Sequence, residues 1–348
     1  MSPDSNCSGI AAASFCAVAL ACIGREKWIR RRTREQRPDR GEISERGESM
    51  LLPVFSYMPD FMKSLQDPYH PYTNPRGHIT LCVAENKLAI DILGSRLMQY
   101  ETASRAFSDA AVYCYSNTLG LPGPREAVAY FLAKHFMYPE LRDMSFTEAL
   151  DHVRPEHVAF GAGAGALVSH LALSLMDEGD AVLIPAPVSE MARGPKHASM
   201  SSSLFAQFAI LVPLQYYAAF TFDLTILAKS TVVPVYSPNP SVGPTPDELE
   251  NAAASAEAKG LRVRVLLLTN PNNPLGTIYP PEFVKSSIDW ARNRKIHTII
   301  DEIYALSVHE SGFESVLKTL NGDLRNDVRD TGVCHMPSIH ACRMSCND

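Results

Sequence analysis

The sequence predicts an α/β fold: a three-layer α/β/α domain on a mostly parallel sheet. Three observations carry this. Val263–Leu268 is an apolar run broken only by Arg264, and Ile296–Ile300 is a second, largely apolar run. Runs of this kind suit strands buried on both faces. Between them Pro280 and Pro281 start a helical pattern, with Val284, Ile288 and Ala291 on one stripe. The result is one strand–helix–strand unit. Polar residues stand where each strand ends, Asn270–Gly276 after the first and Asp301–Tyr304 after the second. Parallel sheets bind ligands at those strand ends.

The other elements follow in chain order. Residues 1–48 read as an unstructured extension. Ile10–Gly24 is apolar but shorter than the ~20 residues a membrane helix needs. Its basic residues, Arg25 to Arg34, come after the apolar run, whereas a signal peptide places them before it. A membrane role is therefore not expected. Residues 49–80, rich in aromatics and prolines, read as an N-terminal arm. A helix is expected from Arg125 to about Phe136, with Val128, Phe131, Leu132 and His135 on one stripe. Val158–Phe160 reads as a strand leading into the glycine-rich turn Gly161–Ala166 and a helix over Leu167–Met176. Free N–H groups at such a helix start favour an anion, though the turn also has a plain packing reading. Asp180–Ile184 is the next strand. Thr231–Val235 is a further one, and Pro234 marks an end or an edge there. Thr245, with Glu248 three residues on, predicts a capping box.

The chain has 348 residues, a net charge of −6, 46% hydrophobic and 20% charged residues. These values suit a globular protein and offer no basic field for nucleic acid. The cysteines imply no secreted disulfide framework in a chain this long, and a reducing, cytoplasmic setting is the expectation. Cys334, His335, His340, Cys342 and Cys346 lack paired C-x2-C spacing, so no metal site is expected.

Asn273-Pro-Leu-Gly276 and Asp301-Glu-Ile-Tyr304, at this separation, resemble the fold-type-I pyridoxal-phosphate (PLP) enzymes. The resemblance is to class I/II aminotransferases, closest to the 1-aminocyclopropane-1-carboxylate (ACC) synthase-like branch. It covers roughly Ser49 to Arg329. It implies a PLP-dependent transferase-like large domain over 81–329, without the C-terminal small domain. It also implies cofactor roles for single residues: Asp301 at the pyridine nitrogen, Asn273 and Tyr304 at the phenolic oxygen, Tyr217 stacked on the ring, and Ala164 and Gly165 at the phosphate. Most relatives carry a hydroxyl residue at one of these phosphate positions, and Gly161–Ala166 has none. Glu85 and Tyr115 are the implied substrate contacts, though Glu85 also suits a turn and Tyr115 a packed loop aromatic, and a homodimer is the implied assembly. From the residues alone, Asn273 also suits a turn, Asp301 a helix cap and Tyr304 simple packing.

Two segments depart from the family pattern. Val188–Gln215 interrupts the passage from Pro187 to Tyr216, and reads either as a surface insertion or as an unspliced in-frame intron. Asp330–Asp348 matches no strand, no Ser-x-Ser-Lys segment and no following arginine, so the Schiff-base lysine is absent from its expected place. Lys229 and Lys318 are not assigned that role. The resemblance implies an aminotransferase acting on amino acids in biosynthesis. An ACC synthase-like lyase acting on S-adenosylmethionine and an inactive PLP-binding or dimerising remnant remain open beside it.

Overall fold

The computed structural model describes residues 58–81, 87–141, 143–187, 216–309, 312–320, 333–337 and 341–343, with Ser44 and Gly47. Val188–Gln215, Glu85, nearly all of 1–48 and most of 330–348 lie outside the described residues. Residues 53–348 form one compact unit, separate from 1–52, and it holds every element named below.

Among the described residues five α-helices precede the sheet's main body: α1 (Met58–Gln66), α2 (Ile90–Leu97), α3 (Tyr100–Phe107), α4 (Pro122–Leu132) and α5 (Phe146–His152). Then come β1 (Val158–Phe160), α6 (Ala164–Leu175), β2 (Asp180–Pro187), α7 (Phe220–Thr225) and β3 (Thr231–Ser237). The chain continues through α8 (Pro246–Glu257), β4 (Arg262–Thr269), α9 (Pro281–Asn293) and β5 (His297–Glu302). It closes with α10 (Val316–Thr319), β6 (Val333–Pro337) and β7 (Ala341–Arg343).

The seven strands form one sheet in the order β1-β7-β6-β5-β4-β2-β3. From β6 through β3 every neighbouring pair is parallel, and only β7 runs antiparallel to its neighbours β1 and β6. Pro234 sits inside β3, which among the described strands is the outer one and pairs only with β2. An edge position leaves no second neighbour for the missing N–H to serve.

Two apolar clusters, one on each sheet face, make the three layers. One joins Val182, Ile184, Val265, Leu267 and Ile299 to α6 and α7. The other joins Leu183, Leu266, Leu268 and Ile300 to α4, α8, α9 and α10. Each fully buried leucine of β4 contributes about 1.5–3 kcal/mol of transfer free energy. The helix stripe of α9 is as expected, with Val284, Ile288 and Ala291 buried. The capping box forms at α8: Thr245 Oγ1 accepts from Glu248 N at 3.2 Å, and Glu248 accepts from Thr245 N at 2.8 Å.

Two expectations are corrected. The α4 stripe is rotated: Arg125, Ala129 and Leu132 are buried, while His135 is exposed on a following wide turn, its ring 4.6 Å from Phe131. The tail also supplies strands where none was read. The backbone of β6 pairs in parallel with β5, Thr298 opposite Val333 through Glu302 opposite Pro337. Val-Cys-His-Met-Pro has no period-two pattern. Its pairing rests on main-chain groups that any sequence offers to the open edge of β5.

At the amino end of the sheet, Asp180 is buried and held by Arg262, whose Nε lies 2.8 Å from Oδ1 and whose Nη2 lies 2.8 Å from Oδ2. The Arg262 hydrogen bonds hold the Asp180 carboxyl below its usual value of 3.8 against the opposing effect of burial. The folded pKa is depressed, so this contribution is present above the unfolded value and is lost as pH falls through the folded one. In urea unfolding, Arg262→Leu is expected to be less stable than wild type at pH 7, and the gap should close in strong acid. A gap of equal size at both ends of the pH range would contradict this.

Candidate functional site

Strand alternation sorts the two carboxylates at the end of β5. Ile299 belongs to the α6/α7 face and Ile300 to the opposite face. With a period of two, Asp301 points to the α6/α7 side and Glu302 away from it. Glu302 is wholly inaccessible; Oε2 accepts from Ser315 Oγ at 2.6 Å and Oε1 from Val316 N at 2.7 Å. It therefore caps α10 and belongs to the core. Asp301, 4% exposed, accepts from Ile303 N at 3.1 Å through Oδ1. The sequence does not distinguish the two acids by type. Alternation from Ile300 is the signal that separates them.

The loop after β4 is similarly divided. Asn270 Oδ1 accepts from Tyr279 N at 2.9 Å, and Asn270 N donates to the Asp301 carbonyl at 2.9 Å. Asn272 Oδ1 accepts from Leu275 N at 3.2 Å, and its amide donates to Tyr279 Oη at 3.3 Å. Burial pushes the Tyr279 hydroxyl up to about 12, which keeps it protonated. Gly276 takes φ +67° to close the loop, a conformation that favours glycine. Those two asparagines hold the loop together. The third, Asn273, directs Nδ2 to Tyr304 Oη at 3.0 Å. The Asn273–Tyr304 pair lines a cavity of about 530 Å³, together with Pro274, Ile278, Val308 and His309. Its lining does not include Asp301, Tyr217, Ala164 or Gly165.

On the α6 side, Gly163 is the N-cap with φ +98° and makes no side-chain cap, so Ala164 and Gly165 fall in the first helical turn. Among the N–H groups of that turn are donors with no partner inside the helix. Tyr217 is 44% exposed and meets Phe220 edge-on, with ring centroids 5.3 Å apart. Asp223 of α7 was not singled out from the sequence. A Cβ placed on Gly165 would lie 3.3 Å from Asp223 Oδ1 and 3.4 Å from Oδ2. Tyr115 is fully exposed.

The structure thus joins Asn273 to Tyr304, ties Asp301 to the same loop through the backbone, and puts Asp301 on the sheet face of α6 and α7. This donor set fits PLP. The buried carboxylate suits a protonated ring nitrogen, and the amide and phenol suit an anionic ring oxygen. At the start of α6 the N-cap Gly163 has open space where a Cβ would stand, while Asp223 faces Gly165. A covalent partner is another matter. Lys229 pairs with Glu178 at 2.9 Å with its side chain 51% exposed, and Lys318 with Glu140 at 3.5 Å with its side chain 40% exposed.

Residues 191–331 match the model of the family aminotransferase class I and II, a span that includes most of the segment read as an insertion. The mouse probable inactive 1-aminocyclopropane-1-carboxylate synthase-like protein 2 is 30% identical over 303 residues, 84% of this chain and 44% of that protein. The 1-aminocyclopropane-1-carboxylate synthase 1 of Oryza sativa subsp. indica is 29% identical, over 77% of this chain and 49% of its own length. This chain therefore spans less than half of those curated relatives. In fold it is similar to a Thermus thermophilus aspartate aminotransferase single mutant, with a TM-score of 0.55 at 17% identity over 88% of this chain and 65% of that one. No helix among the described residues is long and apolar enough to cross a membrane. The paired asparagine and aspartate motifs, the parallel sheet that aligns them and the matched span agree: the chain belongs to the class I and II aminotransferases, a family of fold-type-I, PLP-dependent proteins.

Proposed function

We propose that this chain binds PLP reversibly, without a covalent lysine bond, through a ring site made by Asp301, Asn273 and Tyr304. The observation that carries the reading is the Asn273–Tyr304 hydrogen bond, with a buried Asp301 tied to the same loop by the Asn270 N to Asp301 carbonyl bond. Asp301 would hold a proton on the ring nitrogen, because opposite charges brought together favour both ionised forms. Asn273 and Tyr304 would donate to the ring's phenolic oxygen. Ala164 and Gly165 would offer main-chain N–H groups to the phosphate, and Tyr217 would cover one ring face. When bound, the cofactor supplies an electron sink for bonds at the α-carbon of an amino acid. Transamination of an amino acid is the reaction we infer for the full-length family architecture. The second reading, a lyase acting on S-adenosylmethionine, follows from the resemblance to the ACC synthase-like branch, and a 1-aminocyclopropane-1-carboxylate synthase is among the relatives.

The test is a PLP titration followed by absorbance, then borohydride reduction and intact-mass analysis. Saturable binding that is removed by dialysis, with no mass added after reduction, is the expected outcome. Absence of saturable binding would overturn the reading. Stoichiometric covalent incorporation, located on one lysine by peptide mapping, would overturn the non-covalent reading.

A further inference from the structure

We propose that Asp223, in its protonated form, is the side-chain donor to the phosphate end of the cofactor site, so that anion binding at the start of α6 takes up a proton. This rests on the PLP reading above and concerns a residue that neither the motifs nor the comparisons assign.

The glycine-rich turn Gly161–Ala166 contains no hydroxyl, and its N-cap Gly163 has no side chain to offer. Asp223 reaches the same place from α7. Its carboxyl oxygens lie 3.3 and 3.4 Å from where a Cβ of Gly165 would stand. Any residue larger than glycine there would press on the carboxyl group. Oδ2 is buried and has no hydrogen-bond partner, so it retains capacity for one more bond. As a carboxylate, Asp223 would repel a phosphate at this helix start. As a carboxylic acid it would donate its O–H to the anion, as a hydroxyl residue would.

The proton is within reach near neutrality, because burial pushes the Asp223 carboxyl up from 3.8 to about 6. An arriving anion raises it further. The elements packed against α7 carry few titratable groups. On α6 there is only His170, which is exposed; on β3 there is Tyr236, 48% exposed. Tyr216 and Tyr217 stand just before α7, and the Tyr216 hydroxyl bonds Thr221 Oγ1 at 3.3 Å. No fixed positive charge on these elements offsets the carboxylate.

The experiment measures PLP dissociation constants by absorbance from pH 5.5 to 8.5 for wild type, Asp223→Asn and Asp223→Ala, with phosphate-free pyridoxal and inorganic phosphate as parallel ligands. Phosphate esters also titrate near pH 6, so the difference between variants is the readout. Asp223→Asn carries a donor and no charge. It is expected to bind PLP about tenfold or more tighter than wild type at pH 8, and to converge with it near pH 5.5. Asp223→Ala should bind more weakly than Asp223→Asn throughout, and pyridoxal should not distinguish wild type from Asp223→Asn. In the ligand-free chain the folded pKa is raised, so stability falls as pH rises from 3.8 through about 6. Asp223→Asn should therefore melt at a higher temperature than wild type at pH 7.5, and no higher at pH 4. Parallel PLP profiles for wild type and Asp223→Asn would overturn the role of Asp223 alone. Failure of all three folded proteins to bind either PLP or inorganic phosphate at any pH would overturn the cofactor reading and this role with it.

Discussion

Glu302→Ala is expected to destabilise the domain more than any change at the site itself. The side chain is wholly buried and both oxygens are occupied, by Ser315 Oγ at 2.6 Å and Val316 N at 2.7 Å. Hydrogen bonds to a charged group contribute about 1.5–3 kcal/mol each, and their partners would be left buried without an acceptor. A loss of about 3–5 kcal/mol follows, set against a usual domain stability of about 5–15 kcal/mol. Glu302→Gln keeps the shape and one acceptor, and Ser315 Oγ can turn to accept from the amide, so about 1–2 kcal/mol is expected there. Urea unfolding followed by circular dichroism measures both. An alanine variant as stable as wild type would show that Glu302 does not hold α10 on the sheet.

Asp301→Asn is expected to give the largest loss of PLP affinity, about a hundredfold or more, with little change in unfolding. The reasoning is charge: the amide keeps the size and loses the counter-ion for a protonated ring nitrogen, a charge-assisted bond worth about 1.5–3 kcal/mol even before the buried setting is counted. Tyr304→Phe and Asn273→Ala each remove one neutral donor and should cost about tenfold or less. Titration of the three variants against wild type ranks them. An Asp301→Asn protein that binds PLP as tightly as the wild type would remove the ring-nitrogen role.

The sequence carries the sheet's centre legibly because burial writes it there. Val263–Leu268 and Ile296–Ile300 are apolar since both sheet faces are covered, and Pro281 with Val284, Ile288 and Ala291 marks α9. The tail strands were not legible. β6 joins the sheet through its main chain, which leaves no side-chain pattern to read. At the site, Asn273 and Tyr304 were legible as a spaced pair and meet at 3.0 Å. The division of labour among Asn270, Asn272 and Asn273 was not, because three identical side chains in one turn differ only in where the folded loop aims them. Asp223 escaped for a related reason. Its partner, the start of α6, is far away in sequence, and α7 has no motif of its own.

The alternation of β5 has an evolutionary consequence. Glu302 packs under α10 and Asp301, in the proposed site, takes a different task because the two sit on opposite sheet faces. A conservative exchange at either position damages one task. Losing or gaining a single codon within Ile296–Ile300 would disturb both together, since it sends one acid into the packed layer under α10 and turns the other toward the α6/α7 face that carries the proposed ring site. This strand is therefore expected to drift by replacement while resisting frameshift-neutral length change, and a deep mutational scan that includes one-residue deletions should find its lowest tolerance there.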